Sequence, residues 1–190
     1  QSEYYTQSNS YLNEVIDDRE GLPITLSVLY MELARRLDLK VVGLGLPGHY
    51  VVRFEPKEPD AEPQIIDVFN SGKRLSTADA EQLIKSSRFP PLPEFFEAQQ
   101  PTQIVKRMLT NLLGLAESER DDERALRYLE TLVMLDTSEP QTRAQRLELR
   151  ARTGRLSEAM DDADWFISEQ PDGTNTDRLF ELRAALQRQL

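Results

Sequence analysis

Residues 21–30 of the chain are Gly21-Leu22-Pro23-Ile24-Thr25-Leu26-Ser27-Val28-Leu29-Tyr30, a glycine and a proline followed by a largely apolar run. Proline suits the first position of a helix, because the N–H group that it lacks would have no partner there. From that proline to position 37 the segment is apolar on nearly every side of a helix, and such a helix is buried at the centre of a domain. We therefore predict a central helix that begins at Pro23 and emerges near Glu32 and Arg35, its first charged residues.

Three short segments rich in β-branched residues follow the helix, at positions 41–46, 49–54 and 64–68. Turn signals separate them, first Pro47-Gly48 and then a polar loop, so we predict strands that pair antiparallel. Ser76, with Asp79 three residues later, is typical of a capped helix start. A shorter helix is predicted over residues 12–16. The fold class that follows is α+β, with a buried helix packed on a small antiparallel sheet.

The second half of the chain is predicted to be helical and to begin after a cluster of prolines. Four of the 11 prolines lie at positions 90, 91, 93 and 101. Such a cluster cannot continue a helix and forms a semi-rigid connector. We therefore predict three parts: a core over residues 1–88, a Pro-rich connector over 89–101, and an all-α region over 102–190.

A 34-residue period in this all-α region indicates tetratricopeptide-like repeats. The segment 154–159 is the kind of turn that joins the two helices of such a unit, and Ala159 stands 34 residues after Ala125. The repeat is degenerate, because Arg143, Arg146 and Arg150 occupy positions that usually carry large apolar groups. We predict one and a half to two units, followed by a capping helix at about residues 177–189.

The same arginines form a basic stripe together with Arg152, and two interpretations of it stay open. The stripe either contacts an acidic partner or pairs with acidic residues of neighbouring helices, such as those at 121–123. The acidic run at 161–164 lacks the glycine and the distal glutamate of a calcium loop. We interpret that run as a solvated helix face.

Composition excludes several classes of function. The 190 residues include 23 Lys and Arg against 33 Asp and Glu, and the formal net charge of −10 repels phosphate backbones and anionic lipid. We therefore expect no nucleic-acid partner and no membrane, since no apolar run approaches the roughly 20 residues that span a bilayer. Cysteine is absent, which removes disulfides, thiolate metal sites and cysteine nucleophiles. The cytoplasm is the expected location.

Metals and cofactors are not predicted either. One histidine and scattered carboxylates offer no spacing of the zinc type. Gly43 and Gly45 lie inside a predicted strand with no third glycine and no following helix, so they do not form a phosphate-cradling loop.

Four motifs together resemble the SirB-type branch of the transglutaminase-like family. They are the stretch 21–30 and, in chain order around it, Asn9-Ser10-Tyr11-Leu12-Asn13-Glu14-Val15, Leu46-Pro47-Gly48-His49-Tyr50-Val51-Val52 and Ile66-Asp67-Val68-Phe69-Asn70-Ser71-Gly72. Members of that branch carry tetratricopeptide-like helices after the core. They usually have further helices upstream, which we also expect here because the chain begins with Gln1 and not with Met.

The resemblance implies a papain-like α+β core. In that core a buried helix with a cysteine at its N-terminus packs against an antiparallel sheet that carries a histidine and an aspartate. The helix dipole lowers the pKa of the thiol, the histidine takes up its proton, and the aspartate fixes the imidazole tautomer.

Carried over to this chain, the resemblance gives His49 as the histidine, at the start of the second strand, and Asp67 as the aspartate, at the end of the third. The same register puts the cysteine position at Pro23, in the first turn of the buried helix. Proline has no nucleophilic atom. The central part of the family's chemistry is therefore missing from this chain.

Two hydroxyls in the same helix, Thr25 and Ser27, follow Pro23 closely. Ser27 lies one turn further on and shares a face with Pro23, so it could substitute as the nucleophile if His49 stood within about 3 Å as its base. In the other interpretation both are small packing residues whose hydroxyls bond to backbone carbonyls.

Four more residues match the family motifs and form the predicted groove: Asn9, Asn13, Asn70 and Gly72. One interpretation is that they line a pocket. The other is that the asparagines cap helices and turns, which is their commoner role.

Two functional hypotheses follow from these observations. The first is a catalytically inactive transglutaminase-like protein that binds protein partners, in an interaction or regulatory role, through its relict groove and its helical repeats. The second is a hydrolase or acyltransferase that uses Ser27 or an activated water with His49 and Asp67.

Overall fold

The computed structural model describes residues 6–58 and 60–190. The chain divides into two compact units, the first ending at Met108 and the second beginning at Leu109. In the described residues the fold is α+β, with a four-stranded antiparallel sheet and eight α-helices. The division into residues 1–88, 89–101 and 102–190 stays a prediction.

The first unit contains the sheet and its helices. The helices are a 3₁₀ turn at Ser8–Ser10, α1 (Leu12–Asp18), α2 (Pro23–Arg36), α3 (Thr77–Ser86), a second 3₁₀ turn at Pro93–Phe96, and α4 (Pro101–Ser118), in which the division between the units falls.

Helix α2 begins at Pro23, as the sequence predicts. Its first half is buried, with Ile24 exposed by 2% and Thr25 by 0%. Toward its C-terminal end the helix reaches the surface, where Leu33 is exposed by 61% and the C-cap residue Leu37 by 72%. An apolar run predicts burial only where another element lies against it, and the buried residues of this helix are Pro23, Ile24, Thr25, Ser27 and, in the C-terminal half, Ala34.

The sheet is a simple meander in the order β1-β2-β3-β4. Its strands are β1 (Lys40–Leu44), β2 (Val51–Glu55), β3 (Gln64–Asp67) and β4 (Lys73–Leu75), and every neighbouring pair is antiparallel. The sequence does not predict β4, which has three residues of which two are charged. The placement of His49 at the start of a strand is also wrong: β2 begins at Val51, and the backbone N–H of His49 closes a turn onto the Leu46 carbonyl at 3.2 Å.

One face of the sheet packs against α3 to form the main core of this unit. The buried members of that core are Leu44, Leu46, Val51, Ile65, Leu75, Ala80 and Ile84. Helix α3 begins with the predicted capping box, in which the Ser76 hydroxyl accepts from the Asp79 N–H and Asp79 accepts from the Ser76 N–H. The hydroxyl and the N–H of Ser76 hold the pKa of Asp79 below its usual value.

The second unit is helical after α4, with successive helices in contact. These are α5 (Asp122–Leu135), α6 (Pro140–Arg152), α7 (Leu156–Glu169) and α8 (Thr176–Gln187). Ala125 and Ala159, the pair 34 residues apart, are both buried. Gly154, in the turn between α6 and α7, has a φ of +77°, a conformation that glycine adopts without the steric cost of a side chain. The assignment of these helices as tetratricopeptide-like stays a prediction.

The acidic run at 161–164 is not a solvated face along its whole length, because Asp162 is fully buried. Its carboxylate accepts from Arg143 at 3.0 Å, from Arg146 at 2.6 Å and from Arg150 at 2.9 Å. The basic stripe therefore pairs within the chain, and the three arginines surround one buried charge. Sequence periodicity does not reveal this, since an aspartate between acidic neighbours has the pattern of a surface helix.

Candidate functional site

Asp67 is the best-held side chain of the candidate site. It ends strand β3, and its side chain is exposed by only 2%. Oδ2 accepts from His49 Nε2 at 2.9 Å and from Asn70 Nδ2 at 2.6 Å, while Oδ1 accepts from the Asn70 N–H at 3.1 Å. Because hydrogen bonds on both oxygens fix the carboxylate, it has one orientation toward the histidine.

The turn between β3 and β4 supplies that arrangement. The Gly72 N–H donates to the Asp67 carbonyl at 2.9 Å, and Ser71 and Gly72 both have positive φ, at 57° and 73°. Asn70 and Gly72, two of the four predicted groove residues, are thus the residues that shape the turn around Asp67. Both are exposed. Their observed contacts are those of a turn.

His49 follows the Pro47-Gly48 turn and reaches Asp67 from the loop before β2. Its side chain is exposed by 16%, and the ring of Phe69 meets it edge-on at 6.1 Å between centroids. Since Nε2 faces a carboxylate, which only accepts, the neutral ring carries its proton on Nε2 and leaves Nδ1 as an acceptor. The pair therefore has the tautomer that a histidine base would need, with Nδ1 directed away from Asp67.

Pro23 occupies the first position of α2 and is buried. The nearby Thr25 hydroxyl lies 2.9 Å from the Asn9 carbonyl and 3.0 Å from the Leu22 carbonyl, as expected of a packing residue. The Ser27 hydroxyl is buried and has no hydrogen-bond partner among the described residues. The contact between Ser27 and His49 that a serine nucleophile requires is therefore not made in this structure.

The other two predicted groove residues lie at the N-terminal side of the unit. The backbone carbonyl of Asn9 accepts hydrogen bonds from the Thr25 hydroxyl and, at 3.1 Å, from the Leu22 N–H. Asn9 thus binds the start of α2. Asn13 lies exposed on α1. The structure thus brings together His49, Asp67, Asn70 and Gly72, whereas the Asn9 carbonyl binds the start of α2. Phe69 was not among the predicted site residues, although its position between Asp67 and Asn70 is a usable signal.

The second unit has a cavity of about 540 Å³ of its own. It is lined by α6, α7, α8 and the loop before α8, and most of its lining is apolar: Pro140, Ala144, Leu147, Phe166, Leu179 and Leu182. No part of the predicted His49 site lies in this unit.

Neither a metal cluster nor a membrane span is found in the residues that the structure describes. Across 6–58 and 60–190, no group of three or more His, Cys, Asp or Glu side chains is arranged to hold a metal ion. Within the same ranges, no helix combines the length and the apolarity that a bilayer crossing requires.

The sequence comparison identifies the class of protein to which this site belongs. Residues 1–110 match the family described as the transglutaminase-like superfamily. The match covers more than half of the chain and includes α2, the whole sheet, His49 and Asp67. The chain therefore belongs to the transglutaminase-like superfamily.

Similar proteins occur in bacteria and in animals. A UPF0162 protein of Xylella fastidiosa (strain Temecula1) is 30% identical over 184 residues, which cover 92% of this chain and 63% of that protein. The UPF0162 protein YchA of Escherichia coli (strain K12) is 26% identical over 165 residues, 85% of this chain and 60% of that protein. F-box only protein 21 of Homo sapiens is 30% identical over 126 residues, 64% of this chain and 20% of that protein.

This chain thus spans less than two thirds of the length of these bacterial relatives. No solved structure matches it.

Proposed function

We propose that this transglutaminase-like protein is catalytically inactive and serves as an interaction or regulatory module for protein partners. Its relict groove, at His49 and Asp67, is one binding surface, and its helical second unit is another. Within the superfamily we assign it to the SirB-type branch, with tetratricopeptide-like repeats as the second unit. We also propose a cytoplasmic location.

The observation that carries this proposal is the residue at the start of α2. Pro23 is the first residue of the helix, in the position that the family resemblance gives to the nucleophile, and the chain has no cysteine anywhere. The side chains of His49 and Asp67, which match the histidine and the aspartate of the family's catalytic triad, lie 2.9 Å apart. A site that keeps its orienting pair without its nucleophile has geometry suited to binding and not to covalent chemistry.

The surface around His49 has two features that suit a peptide contact. Phe69 is exposed by 39% beside the His49 ring, so an aromatic surface adjoins a polar group. The Nδ1 atom of His49 is an acceptor for a backbone N–H or a hydroxyl of a partner. Phe69 and His49 are therefore the residues that we expect a partner to touch first.

The helical second unit supplies a different kind of surface. Stacked helix pairs form concave faces that suit protein ligands. Its 540 Å³ cavity is lined largely by aliphatic and aromatic side chains, and Asn175 and Arg178 add polar groups. A partner that uses this surface would be recognised by apolar side chains.

Site-specific photo-crosslinking tests which surface a partner uses. A photoreactive phenylalanine analogue replaces Phe69, Phe180 or Leu33, which are exposed by 39%, 54% and 61%. The proposal predicts a specific adduct from position 69 or from position 180 and none from the Leu33 control. The adduct at 69 should disappear when His49→Ala is added. Equal labelling from all three positions would contradict a defined binding surface.

A second candidate function is a hydrolase or acyltransferase, and the preserved contact between His49 and Asp67 favours it. The nucleophile would be Ser27 or a water activated by His49. This hypothesis predicts turnover of ester or amide substrates that His49→Ala abolishes. Ser27→Ala separates its two forms, since loss of turnover indicates the serine and retention indicates water. The interaction-module proposal predicts no turnover that depends on His49.

A further inference from the structure

A single arginine from α4 holds the turn that carries His49. Arg107 Nη2 donates to the Leu46 carbonyl at 2.8 Å and to the His49 carbonyl at 2.8 Å, so one guanidinium group bridges both ends of the turn. The same guanidinium lies over the ring of Tyr50, with Cζ 5.3 Å from the ring centroid. Arg107 therefore contacts the backbone of His49 itself and the ring of Tyr50, the next residue.

The packing of α4 fixes the arginine in that place. Ile104 and Met108, three residues before and one residue after Arg107, pack against a buried cluster of Leu22, Ile24 and Tyr50. The first turns of α4 therefore cover the start of α2 on both sides of Pro23. An arginine between two such anchors loses little additional freedom on binding the turn.

The segment between β1 and the turn leaves room for this arginine. A Cβ atom at Gly45 would lie 2.9 Å from Arg107 Nη1 and 2.3 Å from Gln99 Nε2. Both contacts are too close for a real Cβ atom, so glycine is required at position 45 while these side chains stay in place. The Gln99 N–H adds a 2.9 Å bond to the Gly43 carbonyl in β1, two residues before Gly45.

We propose that Arg107 is the positioning residue of the candidate site, and that it aims the His49 imidazole at Asp67. This inference rests on the proposed function, because it assigns a role to the same His49. The turn itself restrains His49 weakly, through one 3.2 Å backbone bond next to Gly48, which has a φ of +71°. Charge-assisted bonds to two carbonyls are the stronger restraint. Leu46 and Tyr50 anchor the ends of the turn by burial, and without Arg107 we expect the backbone at His49 to shift enough that Nε2 no longer faces Oδ2 in a single orientation.

The ¹⁵N NMR spectrum of the single histidine reports the orientation of the His49 ring toward Asp67. In the ¹⁵N-histidine-labelled chain of 190 residues, the two ring nitrogens reveal which of them carries the proton, and only His49 contributes. We expect one Nε2–H tautomer in the wild type and in the control Arg127→Ala, which changes an exposed arginine of α5. Arg107→Ala should replace that signature by the averaged signal of a mobile ring. An unchanged signature in folded Arg107→Ala would overturn the proposal.

Two further variants keep the result interpretable. Should Arg107→Ala not fold by circular dichroism, Arg107→Lys carries the test: its ammonium keeps the charge but loses the planar group that stacks on Tyr50, so the tautomer signature should weaken. A wild-type signature in Arg107→Lys would then overturn the proposal. Asp67→Asn must change the signature in any case. If it does not, the contact between His49 and Asp67 fails, and the proposed function fails with it, independently of Arg107.

Discussion

A Cβ atom at Gly43 would lie 2.2 Å from the hydroxyl oxygen of Tyr50. The tyrosine is exposed by only 1% and fills the space beside β1 that a side chain at position 43 would need. Its hydroxyl has no hydrogen-bond partner among the described residues. The buried position of the Tyr50 ring therefore requires a residue without a side chain at position 43.

Gly43→Ala should destabilise the protein by about 1–3 kcal/mol, because the added methyl group overpacks against Tyr50. Tyr50→Phe should recover part of that cost, since it removes the closest atom. The measurement is a double-mutant cycle from urea unfolding. Gly114→Ala is the control: a Cβ there meets nothing within 4 Å, and alanine should stabilise α4 by about 1 kcal/mol. Strict additivity of Gly43→Ala and Tyr50→Phe would contradict the predicted contact.

The stability of the protein should fall at alkaline pH in a way that depends on Tyr50. Burial raises the pKa of Tyr50 to about 12, while Arg107 opposes that shift. In the unfolded chain a tyrosine has a pKa of about 10. The neutral Tyr50 hydroxyl therefore contributes its full share to the free energy of unfolding below about pH 10. As the pH rises toward about 12, that free energy should fall by roughly 2 kcal/mol.

The difference in unfolding free energy between wild type and Tyr50→Phe, measured from pH 8 to 12, isolates this effect, because phenylalanine does not titrate. The wild type should lose its relative stability across that window. A difference that stays constant with pH would show that the Tyr50 hydroxyl is not protected from ionisation.

Removal of the Asp67 carboxylate should cost about 2 kcal/mol of stability, because hydrogen-bond donors of His49 and Asn70 lose their acceptor. The variant is Asp67→Ala, and urea unfolding is the measurement. Asp60→Ala, in an exposed loop, is the control and should lie within about 0.5 kcal/mol of wild type. Equal stabilities of Asp67→Ala and Asp60→Ala would be incompatible with the observed network.

The second unit should depend strongly on Asp162. Asp162→Ala leaves three largely buried arginines without their shared counter-charge, and breaking such a buried pair costs about 3–5 kcal/mol. Fluorescence of Trp165, the single tryptophan, follows this unit because Trp165 lies in α7 beside Arg143. The neighbouring Asp161→Ala is a matched control, since Asp161 is exposed. Comparable midpoints for the two variants would rule out the buried network.

Local signals in the sequence predicted much of this fold. Pro23 marks the start of α2, and Ser76 with Asp79 marks the start of α3, because caps and first-turn prolines act within a few residues. The motif positions also gave the two residues, His49 and Asp67, that the structure holds 2.9 Å apart.

The features that the sequence did not reveal depend on contacts between distant segments. Strand β4 pairs with β3 over three residues and has no periodic pattern to detect. Asp162 is buried because three arginines from another helix surround it, and Arg107 reaches a turn about 60 residues away in the chain. In the sequence, charged residues of this kind cannot be told from those of a solvent-exposed helix face, because the residues that pair with them are distant in the chain.

We propose that His49 and Asp67 belong to a relict catalytic site whose nucleophile position is Pro23. Pro23→Cys tests it most directly, because the chain is otherwise free of cysteine and the new thiol is the single one present. The rate of alkylation as a function of pH, followed by mass spectrometry, gives the thiol pKa. Ser168→Cys, on the exposed surface of α7, is the reference.

We expect the thiol at position 23 to have a pKa at least one unit below the value of about 8.5 for a free cysteine, because the start of α2 and His49 both favour the thiolate. Addition of His49→Ala should remove most of that difference. A thiol that titrates at or above the Ser168→Cys reference, or one that does not respond to His49→Ala, would contradict the claim.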